Sequence, residues 1–285
     1  MSNSPLLIGC GEWGFRELPM EKHFEISQRF GFKYLEFGIG GDFPGRLRPD
    51  LSRDEISAFR AWGSQYDQAT PFCCIENDFT RPDAAEHTAI VKKTLEEIQL
   101  AAELGATHVR LFAGFTPASE MNEAIWVRLI DAFQKCQTRC TELGLKIAIE
   151  THGKITMSNG AAFHEPTVST DRSSLQRLLR DLPPEVGFNF DPGNLKAVAP
   201  EDDRYCLDLI NDRINYCHLK DWKRHAGGWT AVAIGDDDLD YAALLRQTEF
   251  AGVYLIEYEP TEDVEAGIAR SLAYLKSAGI DYRFQ

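Results

Sequence analysis

A unit recurs along this chain: an amphipathic helix, a glycine, a short apolar run rich in β-formers, and then a polar residue. It reads RFGFKYLEF near Gly31, ELGATHVRLF near Gly105 and ELGLKIAIE near Gly144, with weaker copies EVGFNFD at Gly187 and EFAGVYLIEYE at Gly252. Glycine just past a helix end supplies the left-handed cap that turns the chain back into a strand. The apolar runs are nearly unbroken rather than alternating, as expected of strands covered on both faces of a parallel sheet. Periodicity predicts strands near 6–10, 33–37, 70–75, 107–112, 145–150, 186–191, 214–219 and 252–258. Helices are expected near 20–30, 52–67, 84–104, 121–143, 171–182, 201–212, 238–248 and 263–278, the second opened by a Ser52–Glu55 capping box. This alternation predicts an α/β fold, a single (β/α)8 TIM barrel occupying residues 1–285 as one domain. A doubly wound open sheet is the alternative, but CGEWGF after the first strand has the wrong spacing for a phosphate-binding glycine loop.

One segment breaks the rhythm. Residues 153–170, GKITMSNGAAFHEPTVST, form a long polar connection after the fifth strand, expected to act as a lid over the barrel mouth or as an oligomer contact.

A formal charge of −14 argues against nucleic acid or an anionic membrane as the main partner. Seven cysteines (Cys10, Cys73, Cys74, Cys136, Cys140, Cys206 and Cys217) without a CxxC pair fit reduced, buried thiols better than a disulfide framework. The start MSNSPLLIGCGEWG lacks the charged region of a signal peptide, and no apolar run approaches a membrane span of about 20 residues. A cytoplasmic location is the resulting expectation.

Four predicted strands end in a potential metal ligand: IAIETH in Glu150, FNFDPGN in Asp191, INYCHLKD in His218 and VYLIEYE in Glu257. Side chains alternate along a strand, so Glu150 shares a face with Ala148, Asp191 with Asn189, His218 with Tyr216 and Glu257 with Leu255. If those faces point inward, the four converge on the carboxyl-terminal rim, where barrel sites collect. Three hard oxygen donors and one imidazole suit Mn²⁺, Mg²⁺ or Co²⁺ better than a structural Zn²⁺ site, which would recruit thiolates. Taken singly, a strand-end Asp is more often a helix cap and a lone His a hydrogen-bonded core residue. As a set of four, they read as a site for one divalent ion, with Mn²⁺ favoured and Zn²⁺ retained as possible.

Other residues fall on the same predicted rim. Glu36 in YLEF is expected to hydrogen-bond inside the mouth, with helix capping as its rival role. Arg110, Lys196 and Lys220 offer cations for a substrate carboxylate or phosphate. Against this, Lys196 could be a solvated loop residue, and Arg110 and Lys220 could pair with Glu36 or Asp221. Trp13 and Trp222 could wall a sugar face or pack in the core. His152, two residues past Glu150, is placed against substrate rather than metal.

The motifs IETH, FNFDPGN, CHLKDW and IGDDDLDYAALLRQTEFAGVYLIEYE resemble those of the xylose-isomerase-like TIM barrel superfamily, in the sugar phosphate isomerase/epimerase family that includes the ketose 3-epimerases. The resemblance covers essentially the whole chain. It implies that Glu150, Asp191, His218 and Glu257 hold the metal and that Glu150 and Glu257 also act as acid and base. It further implies isomerisation or epimerisation of a small keto sugar or sugar acid through a metal-stabilised enediolate. Lyase chemistry on the same plan is the alternative: decarboxylation of a 3-oxo sugar acid, or dehydration of a keto-inositol. A non-catalytic sugar-binding barrel is the rival from another class, and homo-oligomers are common among relatives. Many relatives carry histidine where this chain has Asn194, which argues against the related abasic-site endonucleases and leaves Asn194 a substrate-binding candidate unable to serve as a general acid.

Overall fold

Parallel strands buried on both faces must be led back to the same end by helices, and here each of the first five strands is followed by that return. A computed structural model describes residues 4–285. It runs β1 (Leu6–Cys10), α1 (Met20–Arg29), β2 (Tyr34–Ile39), α2 (Arg53–Gln65), β3 (Ala69–Ile75), α3 (Ala84–Leu104), β4 (His108–Leu111), α4 (Glu123–Leu143) and β5 (Lys146–Glu150). A hairpin, β6 (Lys154–Ser158) and β7 (Ala161–Glu165), precedes α5 (Arg172–Asp181), β8 (Gly187–Phe190), α6 (Pro192–Val198), α7 (Leu207–Ile210) and β9 (Ile214–Leu219). A second hairpin, β10 (Asp221–His225) and β11 (Gly228–Val232), leads to α8 (Tyr241–Leu245), β12 (Val253–Ile256), α9 (Val264–Ser277) and the short β13 (Tyr282–Arg283).

Strands β1, β2, β3, β4, β5, β8, β9 and β12 pair in parallel in that order, and β12 returns to β1, with Leu7 opposite Val253 and Cys10 opposite Ile256. This is the closed (β/α)8 barrel. The glycine stops work as expected: Gly105 after α3 and Gly144 after α4 take φ of 99° and 71°, a region costly for residues with a Cβ. Ser52 and Glu55 form the capping box of α2. All seven cysteines are buried and free.

Two hydrophobic layers follow from strand alternation. The outward layer, including Phe24, Leu35, Phe37, Phe59, Phe133 and Leu178, packs strands against helices. The inward layer, Phe72, Ala148, Tyr216, Val253 and Leu255, plugs the barrel. Glu150, His218 and Glu257 stand two residues beyond Ala148, Tyr216 and Leu255, so they share the inward face and sit above the plug.

The connections after β5 and β9 depart from expectation. Residues 153–170 do not form an open loop. They carry β6 and β7, joined through Trp229 opposite Ala162 to the second hairpin in a four-stranded antiparallel sheet of order β10-β11-β7-β6. Ile155 of this sheet lines the cavity described below, which places the sheet at the mouth. The expected helix over 201–212 shrinks to α7 because Cys206 adopts a left-handed backbone (φ 63°) and breaks the turn sequence. Helix α6, not expected, starts at once after β8 with Asp191 as N-cap and Pro192 at the first helical position. Among the described residues no helix is long and apolar enough to cross a membrane.

His23 on α1 is fully buried beside Phe15, with Nε2 on the carbonyl of Leu18 at 3.1 Å. Burial holds its pKa down at about 4, and burial likewise lowers His108 to about 4 and His164 to about 3. The unfolded chain takes up these protons near pH 6.5, the folded chain only well below it. The stability these groups confer is therefore present above pH 6.5 and lost as pH falls toward 4. The unfolding midpoint should drop across that window, and His23→Gln should shallow the drop; an equal slope in the variant would remove His23 from the acid response.

Candidate metal and substrate site

Glu150 ends β5, Asp191 follows β8, His218 lies near the end of β9 and Glu257 follows β12. All four are buried, and one donor atom from each lies within 4.8 Å of every other. Oxygen donors sit about 2.0–2.2 Å from ions such as Mg²⁺ or Zn²⁺, so opposite donors around one ion stand about 4 Å apart, and this group fits.

Asp191 does two things. Its Oδ1 accepts the backbone N–H of Asn194 at 2.9 Å, capping α6, while Oδ2 accepts the Asn194 side-chain amide at 2.9 Å. That amide also donates to Glu150 Oε1 at 3.1 Å, and Asn194 Oδ1 accepts from Trp222 Nε1 at 3.2 Å. Asn194 and Trp222 thus stand behind the carboxylates and do not line the cavity. His218 is oriented from the other side. Its Nε2 bonds Glu36 Oε1 at 2.7 Å, leaving Nδ1 3.4 Å from Glu257 Oε1 and 3.1 Å from the Asn189 amide. Glu36 Oε1 also accepts from Cys74 Sγ at 2.8 Å and from the Tyr216 hydroxyl, and Oε2 takes the Glu12 N–H at 2.9 Å. Glu36, Cys74 and His218 gather closely enough to suggest a second metal site, but their contacts are satisfied as hydrogen bonds to one carboxylate.

The electrostatics are those of a cluster short of positive charge. Burial, reinforced by Glu150 and Glu257 against the pull of Lys220 and His218, pushes Asp191 up to about 8. Burial disfavours a charged His218, yet Glu257 and Glu36 outweigh it and hold the imidazole at about 10. Burial would raise Glu36 too, but His218, Arg110 and Cys74 hold it at about 2. Protons therefore sit where a divalent ion would otherwise supply the charge. Glu150 Oε2 and Glu257 Oε2 are buried and each faces one cation, Arg110 and Lys220 respectively.

Above the cluster opens a cavity of about 170 Å³ lined by Trp13, Glu76, Arg110, Phe112, Phe115, Glu150, His152, Ile155, Lys220, Glu257 and Glu259. Arg110 Nε lies 2.8 Å from Glu150 Oε2, not beside Glu36, and its guanidinium covers the Phe112 ring. Lys220 Nζ lies 3.1 Å from Glu257 Oε2 and touches Glu259 Oε2, not Asp221. His152 turns Nδ1 to the Gly153 carbonyl at 2.6 Å and packs edge-on against Phe112 and Phe115. Trp13 donates Nε1 to Glu259 Oε1 at 3.0 Å. Lys196 does not join them, because Asp237 (2.8 Å) and Asp238 hold its ammonium. Glu259, which alternation places on the inward face of Glu257, joins the lining although it is not among the residues expected there, while Phe112, Phe115 and Ile155 carry no signal in the sequence. Nor does the sequence announce Arg46, buried against Glu12 at 2.6 Å in space left by Gly38, where a Cβ would lie 2.6 Å from the guanidinium carbon.

A closed parallel barrel whose inward carboxylates and imidazole converge above a hydrophobic plug belongs to the class that keeps its polar site at the strands' carboxyl ends. More narrowly, the chain belongs to the xylose isomerase-like TIM barrel family, whose model matches residues 24–278. Among solved structures it is similar to a xylose isomerase domain protein from Planctomyces limnophilus (17% identity, TM-score 0.74, covering 96% of this chain and 98% of that one). It is also similar to the 3-keto-D-glucoside 4-epimerase from E. coli (15%, TM-score 0.70, 95% and 99%). A third is a xylose isomerase-like TIM barrel protein from Mycobacterium smegmatis in complex with magnesium (15%, TM-score 0.71, 96% and 96%). No curated protein matches the sequence.

Removing Glu36 would strand the buried His218 and Tyr216 hydrogens. Glu36→Ala should lower the unfolding free energy by roughly 3–5 kcal/mol and Glu36→Gln by less, read by urea denaturation. An unchanged midpoint in both would show that the network carries no stability.

Proposed function

We propose that this protein is a divalent-metal-dependent isomerase or epimerase of a small keto sugar or sugar acid. The observation that carries the reading is the disposition of two buried carboxylates. Glu150 and Glu257 each direct one oxygen to the four-residue cluster, toward Asn194 and His218 respectively. Each keeps the other oxygen beside a cation that lines the cavity, Arg110 or Lys220. A binding module has no need of two such groups facing one small space.

Glu150, Asp191, His218 and Glu257 would hold the ion; Mn²⁺ and Mg²⁺ suit the oxygen-rich donor set, and the magnesium complex of a structural neighbour supports a divalent ion here. When bound there, such an ion would polarise a substrate carbonyl and so acidify the adjacent C–H. Glu150 and Glu257 then move the proton through their Oε2 atoms. Burial alone would raise Glu150, but Arg110, His152, His218 and Lys220 together lower it, so it rests ionised as a base. Removal by one carboxylate gives a planar enediolate, and the other, having taken a proton from solvent, delivers it to the opposite face, or to the neighbouring carbon once the hydroxyl proton has passed between the two enediolate oxygens. Asp191 and His218 move no proton. Asn194 fixes the spacing of Asp191 and Glu150, and Glu36 fixes the tilt of His218. Phe112, Phe115, Trp13 and Ile155 keep water from the reacting carbon.

Elemental analysis should find about one divalent ion per chain, absent from His218→Ala. Metal-loaded protein in D₂O should wash the carbon-bound proton out of its ketose, followed by NMR, and Glu150→Gln or Glu257→Gln should slow that exchange about 10²- to 10⁴-fold. Exchange at the original rate in both variants would sink the two-carboxylate reading.

A further inference from the structure

Every cation bordering the cavity is already matched to carboxylate. Arg110 is committed to Glu150, and Lys220 is committed twice, to Glu257 and to Glu259. Behind them Arg46 is taken by Glu12 and Glu76. Four carboxylates, Glu76, Glu150, Glu257 and Glu259, line the space against the two cations Arg110 and Lys220. A divalent ion adds two positive charges and Asp191 withdraws one, so the loaded site still carries no surplus positive charge. Anion recognition needs that surplus.

We propose that the cavity selects an uncharged polyhydroxylated carbonyl compound over sugar acids and sugar phosphates, and that Glu259 is the residue that sets this preference. The inference rests on the metal–ketose reading above and narrows its substrate. To grip Arg110 or Lys220, a carboxylate or phosphate would have to break a buried ion pair and leave Glu150, Glu257 or Glu259 uncompensated. A hydroxyl breaks nothing. Arg110 Nη1 is buried with no hydrogen-bond partner and can donate, and the Oε2 atoms of Glu150, Glu257 and Glu259 can accept from a hydroxyl while keeping their ion pairs with Arg110 and Lys220. Trp13, Phe115 and Ile155 add apolar lining for the C–H side of a sugar.

Glu259 is built in rather than incidental. Trp13 Nε1 holds its Oε1, and Arg16 Nη1 ties the Glu259 carbonyl (2.7 Å) to the Trp13 carbonyl (2.8 Å). The remaining oxygen is thereby aimed at Lys220. Neutralising Glu259 leaves Lys220 with one carboxylate instead of two and removes the negative charge that stands nearest to it.

The test uses the full chain loaded with Co²⁺, whose visible absorption reports ligands entering the site. D-Fructose, D-fructose 6-phosphate and 5-keto-D-gluconate share a ketose framework and differ in charge. Wild type should be half-saturated by fructose at a concentration at least about tenfold below that of either anion (about 1.4 kcal/mol). Glu259→Gln should keep its Co²⁺ and lose most of that gap. An anion bound as tightly as fructose by the wild type, or a gap unchanged in Glu259→Gln, overturns the inference while leaving the metal site standing. Failure of the wild type to take up Co²⁺ would instead remove the reading on which it rests.

Discussion

The seam between β1 and β12 is the constraint on which the rest of the molecule depends. Until the last strand returns to the first, Glu257 has no reason to face Glu150 and there is no enclosed space for either. The seam is tight enough to exclude side chains. A Cβ on Gly9 would lie 2.6 Å from Leu255, one on Gly11 2.9 Å from the Ile256 carbonyl, and one on Gly14 2.2 Å from the Tyr258 carbonyl. The glycines of LLIGCGEWGF thus serve backbone approach along the strand that carries Glu257 and Glu259, and the same approach sets Trp13 against Glu259. Closure and site construction are one event.

Charge inside the barrel is arranged in depth. At the bottom, apolar side chains such as Phe72 and Leu255 fill the lumen. Above them, Glu36 gathers hydrogens from His218, Tyr216, Cys74 and the Glu12 backbone. Higher still come the three carboxylates and imidazole, and then the paired cations at the mouth. Burying this many ionisable groups is tolerable only because most already have a partner: Glu150 has Arg110, Glu257 and Glu259 have Lys220, and Glu36 has His218. An isolated buried charge would be expelled or neutralised, whereas Glu150, Asp191, His218 and Glu257 are held close enough together for one ion to meet all four.

Much of this was legible in the sequence because strand alternation is a strict rule. Ala148 then Glu150, Tyr216 then His218 and Leu255 then Glu257 mark a lumen-facing row as soon as the strands are placed, and the strands are placed by unbroken apolar runs between glycine-capped helices. What stayed hidden depends on partners distant in sequence. The β6–β7 hairpin reads as polar loop because its stabilising neighbour, β11, comes more than sixty residues later. Helix α6 is too short to show periodicity and is announced only by the DP step that caps it. Nor does periodicity say which acid a cation will choose: Arg110 could as well have met Glu36, and only the barrel's stagger brings it to Glu150.

Asp191 carries a consequence of its own. One of its oxygens terminates α6, and the other belongs to the cluster on which the proposed chemistry turns. Events at the centre of the barrel are therefore coupled to the order of a short, largely buried helix. Backbone amides of residues 194–198 would report the occupancy of the centre through their solvent exchange, slower when Asp191 is held from both sides. The helix serves as a built-in gauge, readable without a substrate.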